Sequence, residues 1–131
     1  MSSIFTKIIN KEIPASIIAE NESFIAFLDV FPLAKGHVLV VPKKEIDYIF
    51  SIEDTLLAEM MVFSKKIAQA IEQAIPCKRV GVAVIGLEVP HAHIHLIPLQ
   101  TVQDINFTRE KLKLSPEEMS DIATSIKKYL L

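Results

Sequence analysis

The stretch HAHIHLIP, residues 91–98, holds three of the chain's four histidines at strict intervals of two, separated by apolar residues. On a strand, side chains two apart share a face. The spacing therefore predicts a half-exposed strand with His91, His93 and His95 on one side and Ala92, Ile94 and Leu96 toward a core. A solvated face of that kind is ordinarily filled with Thr, Lys, Glu or Ser. Three imidazoles can be read as an unusual polar face, as metal ligands, or as a row along a phosphate. A His-x-His pair suits zinc, but the β-carbons of His91 and His95 would lie about 13 Å apart at ~3.4 Å per residue. A metal would need its last ligand from another strand. His37 is available, yet nothing else in the sequence calls for it, and no metal is assigned. The phosphate reading uses all three residues. A neutral imidazole is a competent nucleophile near pH 7, and flanking rings can stabilise the spreading charge of phosphoryl transfer.

Working outward, KGHVLVVPKK (35–44) is bracketed by Gly36 and Pro42 and is apolar on both faces, as in a central strand opened by His37. Before it, SIIAEN (16–21) and FIAFLDVFP (24–32) read as two strands joined by a polar turn. In the second, Phe27 and Asp29 share one face while Ala26, Leu28 and Val30 share the other. SIFTKIIN (3–10) has the spacing of a short helix through Ile4, Phe5, Ile8 and Ile9. From Ser51 the period becomes helical, through Leu56, Met60, Phe63, Ile67, Ile71 and Ala74, with Ser51 and Asp54 as the expected cap and Pro76 as the stop. RVGVAVIGLEV (79–89) predicts a further strand. Ser115, Pro116 and Glu118 start a last helix, striped by Met119, Ile122, Ala123, Ile126 and Leu130. The expectation is a single α+β domain over residues 1–131, an antiparallel meander of about five strands with helices packed on one face.

Composition narrows the function classes. Half of the 131 residues are hydrophobic and 7% are aromatic, so the core rests on Ile, Leu and Val. A net charge of −2 supplies no basic footprint for nucleic acid. The lone Cys77 excludes an internal disulfide and any cysteine-cluster metal site. MSSIFTKIIN has no extended apolar core and meets Lys7 early, unlike a signal peptide, and no window reaches a membrane span's ~18 apolar residues. The expectation is a soluble, cytoplasmic protein without membrane partners.

HAHIHLI resembles the histidine triad motif, His-φ-His-φ-His-φ-φ with φ hydrophobic, of the HIT superfamily. SIFTKIINKEIPASIIAENESFIAFLDVFPLAKGHVLVVPKK is similar nearly throughout to the N-terminal half of its Hint-like branch, so the resemblance covers residues 3 to about 98. It implies a HIT-like fold, usually a homodimer whose sheets join. The activity it implies is hydrolysis or transfer at the α-phosphate of nucleotide conjugates, such as adenosine phosphoramidates or dinucleoside polyphosphates, with no cofactor. On matching positions His93 resembles the nucleophile that forms a nucleotidyl-histidine. His91 and His95 resemble the residues that orient it and contact the phosphate or leaving group, and His37 the upstream histidine that contacts the triad. Asp29 resembles the acceptor of the ribose hydroxyls. Ile4, Phe5, Ile8, Phe27, Leu28 and Val30 resemble the apolar wall around a purine base. From the residues alone, a surface carboxylate is the favoured reading of Asp29 and a core residue that of Phe27.

The chain departs from that pattern just before the triad. The family usually places an Asn and a Gly-Gln or Gly-Ser element there, whereas RVGVAVIGLEVPHAHIH has Gly86, Leu87 and Glu88 and neither Asn nor Gln. A polar donor lost from such a site costs on the order of 10²–10³ in rate. Glu88 reads as a general acid or as a surface residue. The departure keeps a second function class open, a nucleotide-binding or scaffolding homodimer with little catalysis. A histidine-metal protein is a third.

Overall fold

The computed structural model describes residues 2–130. Helix α1 (Ile4–Ile9) is capped by Ser3, whose hydroxyl accepts the Thr6 amide at 3.1 Å. The strands follow as β1 (Ile17–Glu20), β2 (Phe24–Leu28), β3 (Val38–Pro42), β4 (Arg79–Ala83) and β5 (Ile94–Leu99). Between β3 and β4 run a 3₁₀ turn, Ile49–Ser51, and helix α2 (Asp54–Ala74). A second 3₁₀ turn, Val102–Ile105, precedes α3 (Pro116–Lys127). All strand pairs are antiparallel, in the order β1-β2-β3-β5-β4. The α+β reading holds, but the meander ends at β3. The crossover through α2 carries the chain past an empty place, β4 takes the far edge, and β5 then fills the gap.

The sheet has a different helix partner on each side. Leu28, Val38, Val40, Ile94 and Leu96 meet Met60, Ile67 and Ile71 of α2 and Met119, Ala123 and Ile126 of α3 in the main core. A smaller cluster on the opposite face joins Phe5 and Ile8 of α1 to Ile25, Phe27, Leu39 and Val41. The expectation of helices on one face is thus corrected, because the apolar side of α1 covers the back of β2 and β3.

Two local expectations also change. Glu53, not Ser51, caps α2, its carboxylate accepting the Leu56 amide at 3.0 Å, while Ser51 closes the 3₁₀ turn. β5 starts at Ile94, so His91 and His93 precede the strand. Pairing with β3 ends at Val40↔Ile94, because the next proline, Pro42, has no amide to extend the ladder. The amides of residues 91 and 92 bond elsewhere, His91 to the Val89 carbonyl at 2.8 Å and Ala92 to that of Ile46 at 2.7 Å. No helix among the described residues is long and apolar enough to cross a membrane.

Candidate functional site

Alternation survives the loss of ladder bonds. Ala92, Ile94 and Leu96 enter the main core, and the three histidines face the other way. That face is buried rather than half-exposed, since α1 and the segment after β5 close over it. The Phe5 ring lies edge-on to His93 at 5.0 Å and to His91 at 5.9 Å. At the other end of the row, Phe107 lies edge-on to His95 at 4.7 Å.

Backbone groups assign the ring protons of His91, His93 and His37, and His37 in turn assigns that of His95. His91 Nε2 donates to the Pro42 carbonyl at 2.7 Å, leaving Nδ1 to accept from the Ser3 hydroxyl at 2.7 Å. His93 Nδ1 donates to the His91 carbonyl at 2.7 Å, which leaves the lone pair on Nε2. The Leu33 amide donates to His37 Nδ1 at 3.0 Å, so His37 Nε2 carries the proton and gives it to His95 Nδ1, also at 3.0 Å. The free proton of His95 is then on Nε2. Burial, followed by the proximity of His95, pushes the His37 pKa down to about 3. Burial and then His93 push His95 down to about 4, and burial lowers His91 as well. These three rings are neutral at physiological pH.

Asp29 follows β2 and lies 3.6 Å from His37 Nε2, with Oδ1 accepting the Phe31 amide at 2.9 Å. Burial raises its pKa. One ligand atom each of Asp29, His37 and His95 falls within 4.8 Å of the others, a spacing a metal could bridge. The tautomer argues against it, because His37 Nε2 has a proton where a ligand needs a lone pair.

A cleft of about 390 Å³ opens onto His93, His95, His37 and Asp29, and Ile4, Phe5, Val30 and Glu88 line it too. Phe27 and Ile8 do not reach it. Phe27 packs behind Phe5 with ring centroids 5.5 Å apart, and Ile8 joins the same cluster. Leu28 lies on the other side of the sheet in the main core, because strand alternation turns it away from Phe27, and it is removed from the wall. His91 is buried beneath the cleft. Phe107 and Lys111 line the cleft and were missed in the sequence, since the irregular segment 100–115 has no periodicity to place them. Ser3 and Glu45 were missed as well. The Glu45 carboxylate accepts from the Ser3 amide and the Thr6 hydroxyl, both at 2.6 Å, and so braces the serine that holds His91.

The HIT domain family model matches residues 10–102. The chain belongs to the histidine triad family. Among HIT relatives, an uncharacterised HIT-like protein of Borreliella burgdorferi is 33% identical over 131 residues, 94% of each chain. The adenosine 5′-monophosphoramidase of Schizosaccharomyces pombe is 32% identical over 129 residues, 96% of each. A Hit-like protein from Bartonella henselae, described as involved in cell-cycle regulation, superposes with a TM-score of 0.85 at 28% identity, covering 98% of this chain and 96% of that one.

Proposed function

We propose that this HIT protein hydrolyses or transfers the nucleotidyl group of nucleotide conjugates through His93. The observation that carries the reading is the bond from His93 Nδ1 to the His91 carbonyl, which reserves Nε2 as a nucleophile in the cleft. The nucleoside would lie with its base against Ile4 and Phe5 and its ribose at Asp29. Nε2 attacks the α-phosphorus, and the bond to the leaving group breaks with its electron pair on the departing atom, which takes a proton from solvent. The His91 carbonyl stabilises the positive charge that the ring gains, and the neutral His95 Nε2–H donates to a phosphoryl oxygen. Water then attacks phosphorus, the P–N bond breaks, a proton leaves to solvent, and the nucleoside monophosphate is released with His93 restored. The relatives named adenosine 5′-monophosphoramidase, from Schizosaccharomyces pombe and Saccharomyces cerevisiae, support this reading.

Turnover of a fluorogenic adenosine phosphoramidate, without added metal, tests it. His93→Ala should lose on the order of 10³-fold or more in turnover while still binding AMP. Undiminished turnover in the variant would remove His93 from the mechanism. A second reading, a binding module with little catalysis, is favoured by the apolar rim of Ile85 and Leu87 where the family has polar donors. It predicts AMP binding with no wild-type turnover.

The unpaired edge of β4 and the apolar residues around it support a homodimer. Val82 is 51% exposed, Met61 50% and Phe50 75%, and a second apolar cleft of about 460 Å³ lies among Tyr48, Phe50, Met61 and Ile85. A second copy docked there would cover an edge and a patch that monomers rarely leave open.

A further inference from the structure

The nucleophile sits on a stretch that the sheet does not hold. β5 begins at Ile94 and its pairing with β3 ends at Val40↔Ile94, so residues 91–93 have no ladder bonds. The proton on His93 Nδ1 nevertheless depends on where the His91 carbonyl points, 2.7 Å away. If that carbonyl swings aside, the ring is free to put its proton on Nε2, and a protonated nitrogen has no lone pair to offer phosphorus. The buried His91 ring supplies the anchor. Its Nε2 donates to the Pro42 carbonyl of β3 and its Nδ1 accepts from Ser3, the cap of α1, both at 2.7 Å. A ring bonded at one nitrogen can pivot about that bond, and a ring bonded at both cannot.

Two hydroxyls stand near that Nδ1, and Glu45 decides between them. Thr6 Oγ1 lies 3.5 Å from it, but the Thr6 proton goes to the Glu45 carboxylate at 2.6 Å. Ser3 Oγ is left as the donor, while the same oxygen accepts the Thr6 amide at 3.1 Å as the helix cap. Glu45 also takes the Ser3 amide at 2.6 Å and so fixes the backbone of the donor. The Thr6 hydroxyl, and after it the Ser3 amide, pull the Glu45 pKa down to about 2, so it accepts at any working pH. Ser3 is 6% exposed and outside the cleft lining, and it meets the reaction only through His91.

We propose that Ser3 is a positioning residue for nucleotidyl transfer: through the His91 ring it holds the carbonyl that keeps the His93 proton on Nδ1, and Glu45 holds Ser3. The inference rests on the reading of His93 as the nucleophile. Its signature is a loss in kcat rather than in binding, because no group that touches the nucleotide is removed.

Four variants test it, by kcat and KM on the adenosine phosphoramidate, by AMP affinity, and by the nitrogen-15 shifts of the histidine rings, which report the nitrogen that carries each proton. Glycine caps a helix nearly as well as serine but has no hydroxyl, so Ser3→Gly removes the donor and spares α1. It should lower kcat on the order of 10²-fold, leave AMP affinity as in the wild type, and move part of the His93 population to the Nε2–H form. Ser3→Thr should restore both kcat and the ring pattern. Glu45→Ala, at an exposed side chain, should shift both in the direction of Ser3→Gly and by less. Ser115→Gly, the same change at the cap of α3, should shift neither. With wild type active, an unchanged kcat or an unchanged His93 ring in Ser3→Gly would overturn the role of Ser3 and leave the transfer reading intact. An equal fall of kcat in Ser115→Gly would overturn it too, by reducing Ser3 to a helix cap. A wild type without turnover would overturn both readings.

Discussion

Main-chain groups, rather than other side chains, set the protonation of most rings in the row, and this gives the site an acid sensitivity of definite sign. The folded-state pKa values of His37, about 3, and His95, about 4, lie below the ordinary 6.5, so the unfolded chain binds protons that the folded chain refuses. Stability is full above pH 6.5 and falls as the pH drops toward those values, by up to about 1.4 kcal/mol per pH unit for each ring. Asp29 acts in the opposite sense, because a pKa raised by burial lets the folded state hold its proton longer. Urea midpoints at pH 7, 6, 5 and 4.5 should fall steadily, and less steeply in His95→Gln. A flat profile down to the carboxylate range would contradict the assignment. Much of this residue-level site was legible: the triad, His37 and Asp29 are spaced along the chain in a recognisable order. Ser3 was not, because its bond to His91 spans 88 residues and has no local signature.

At the scale of elements, the turn before β3 places His37. Gly36 has φ +95°, and an added Cβ would meet Ile75 Cγ1 at 2.9 Å and Pro98 Cγ at 3.3 Å. Gly86 has φ +75° with no atom within 4 Å of such a Cβ. Gly36→Ala should therefore cost more than the roughly 1–3 kcal/mol of backbone strain that Gly86→Ala incurs. Thermal unfolding of the two variants side by side measures the difference. Equal losses would show that the crowding at Ile75 relaxes freely. The start of helix α3 was legible, its Ser115–Glu118 capping box forming as read, because a capping box is local chemistry, whereas the helix ends at Lys127 and leaves Leu130, the last residue of the expected stripe, beyond it. The start of β5 was not. Period-two spacing persists through residues 91–93, but whether ladder bonds accompany it depends on Pro42, 49 residues away from His91.

For the molecule as a whole, the free edge of β4 is the feature with the largest reach. Val82→Lys puts a charge on that edge, a device that blocks strand addition. Sedimentation velocity should find wild type at twice the 14.7 kDa chain mass and the variant at one, with unchanged far-ultraviolet circular dichroism. A wild type that sediments as a single chain would end the homodimer proposal. Fold class was legible at this scale, because element types follow from periodicity. Strand order was not, since nothing within RVGVA or HAHIHLIP says which lies beside β3.

The place of β5 between β3 and β4 has a consequence on the ribosome. The first three strands can associate as soon as they emerge, yet the second side of β3 stays unpaired until Leu99 has been made. At synthesis rates of about 5–20 residues per second the wait from Pro42 to Leu99 is roughly 3–11 s. During that interval the nascent chain presents Val38–Pro42 as an open, wholly apolar border, and α2, the element made in the meantime, covers its face but cannot satisfy its hydrogen bonds. Nascent chains stalled between α2 and β5 are therefore the species that a chaperone, or a neighbouring nascent chain, would capture by strand pairing.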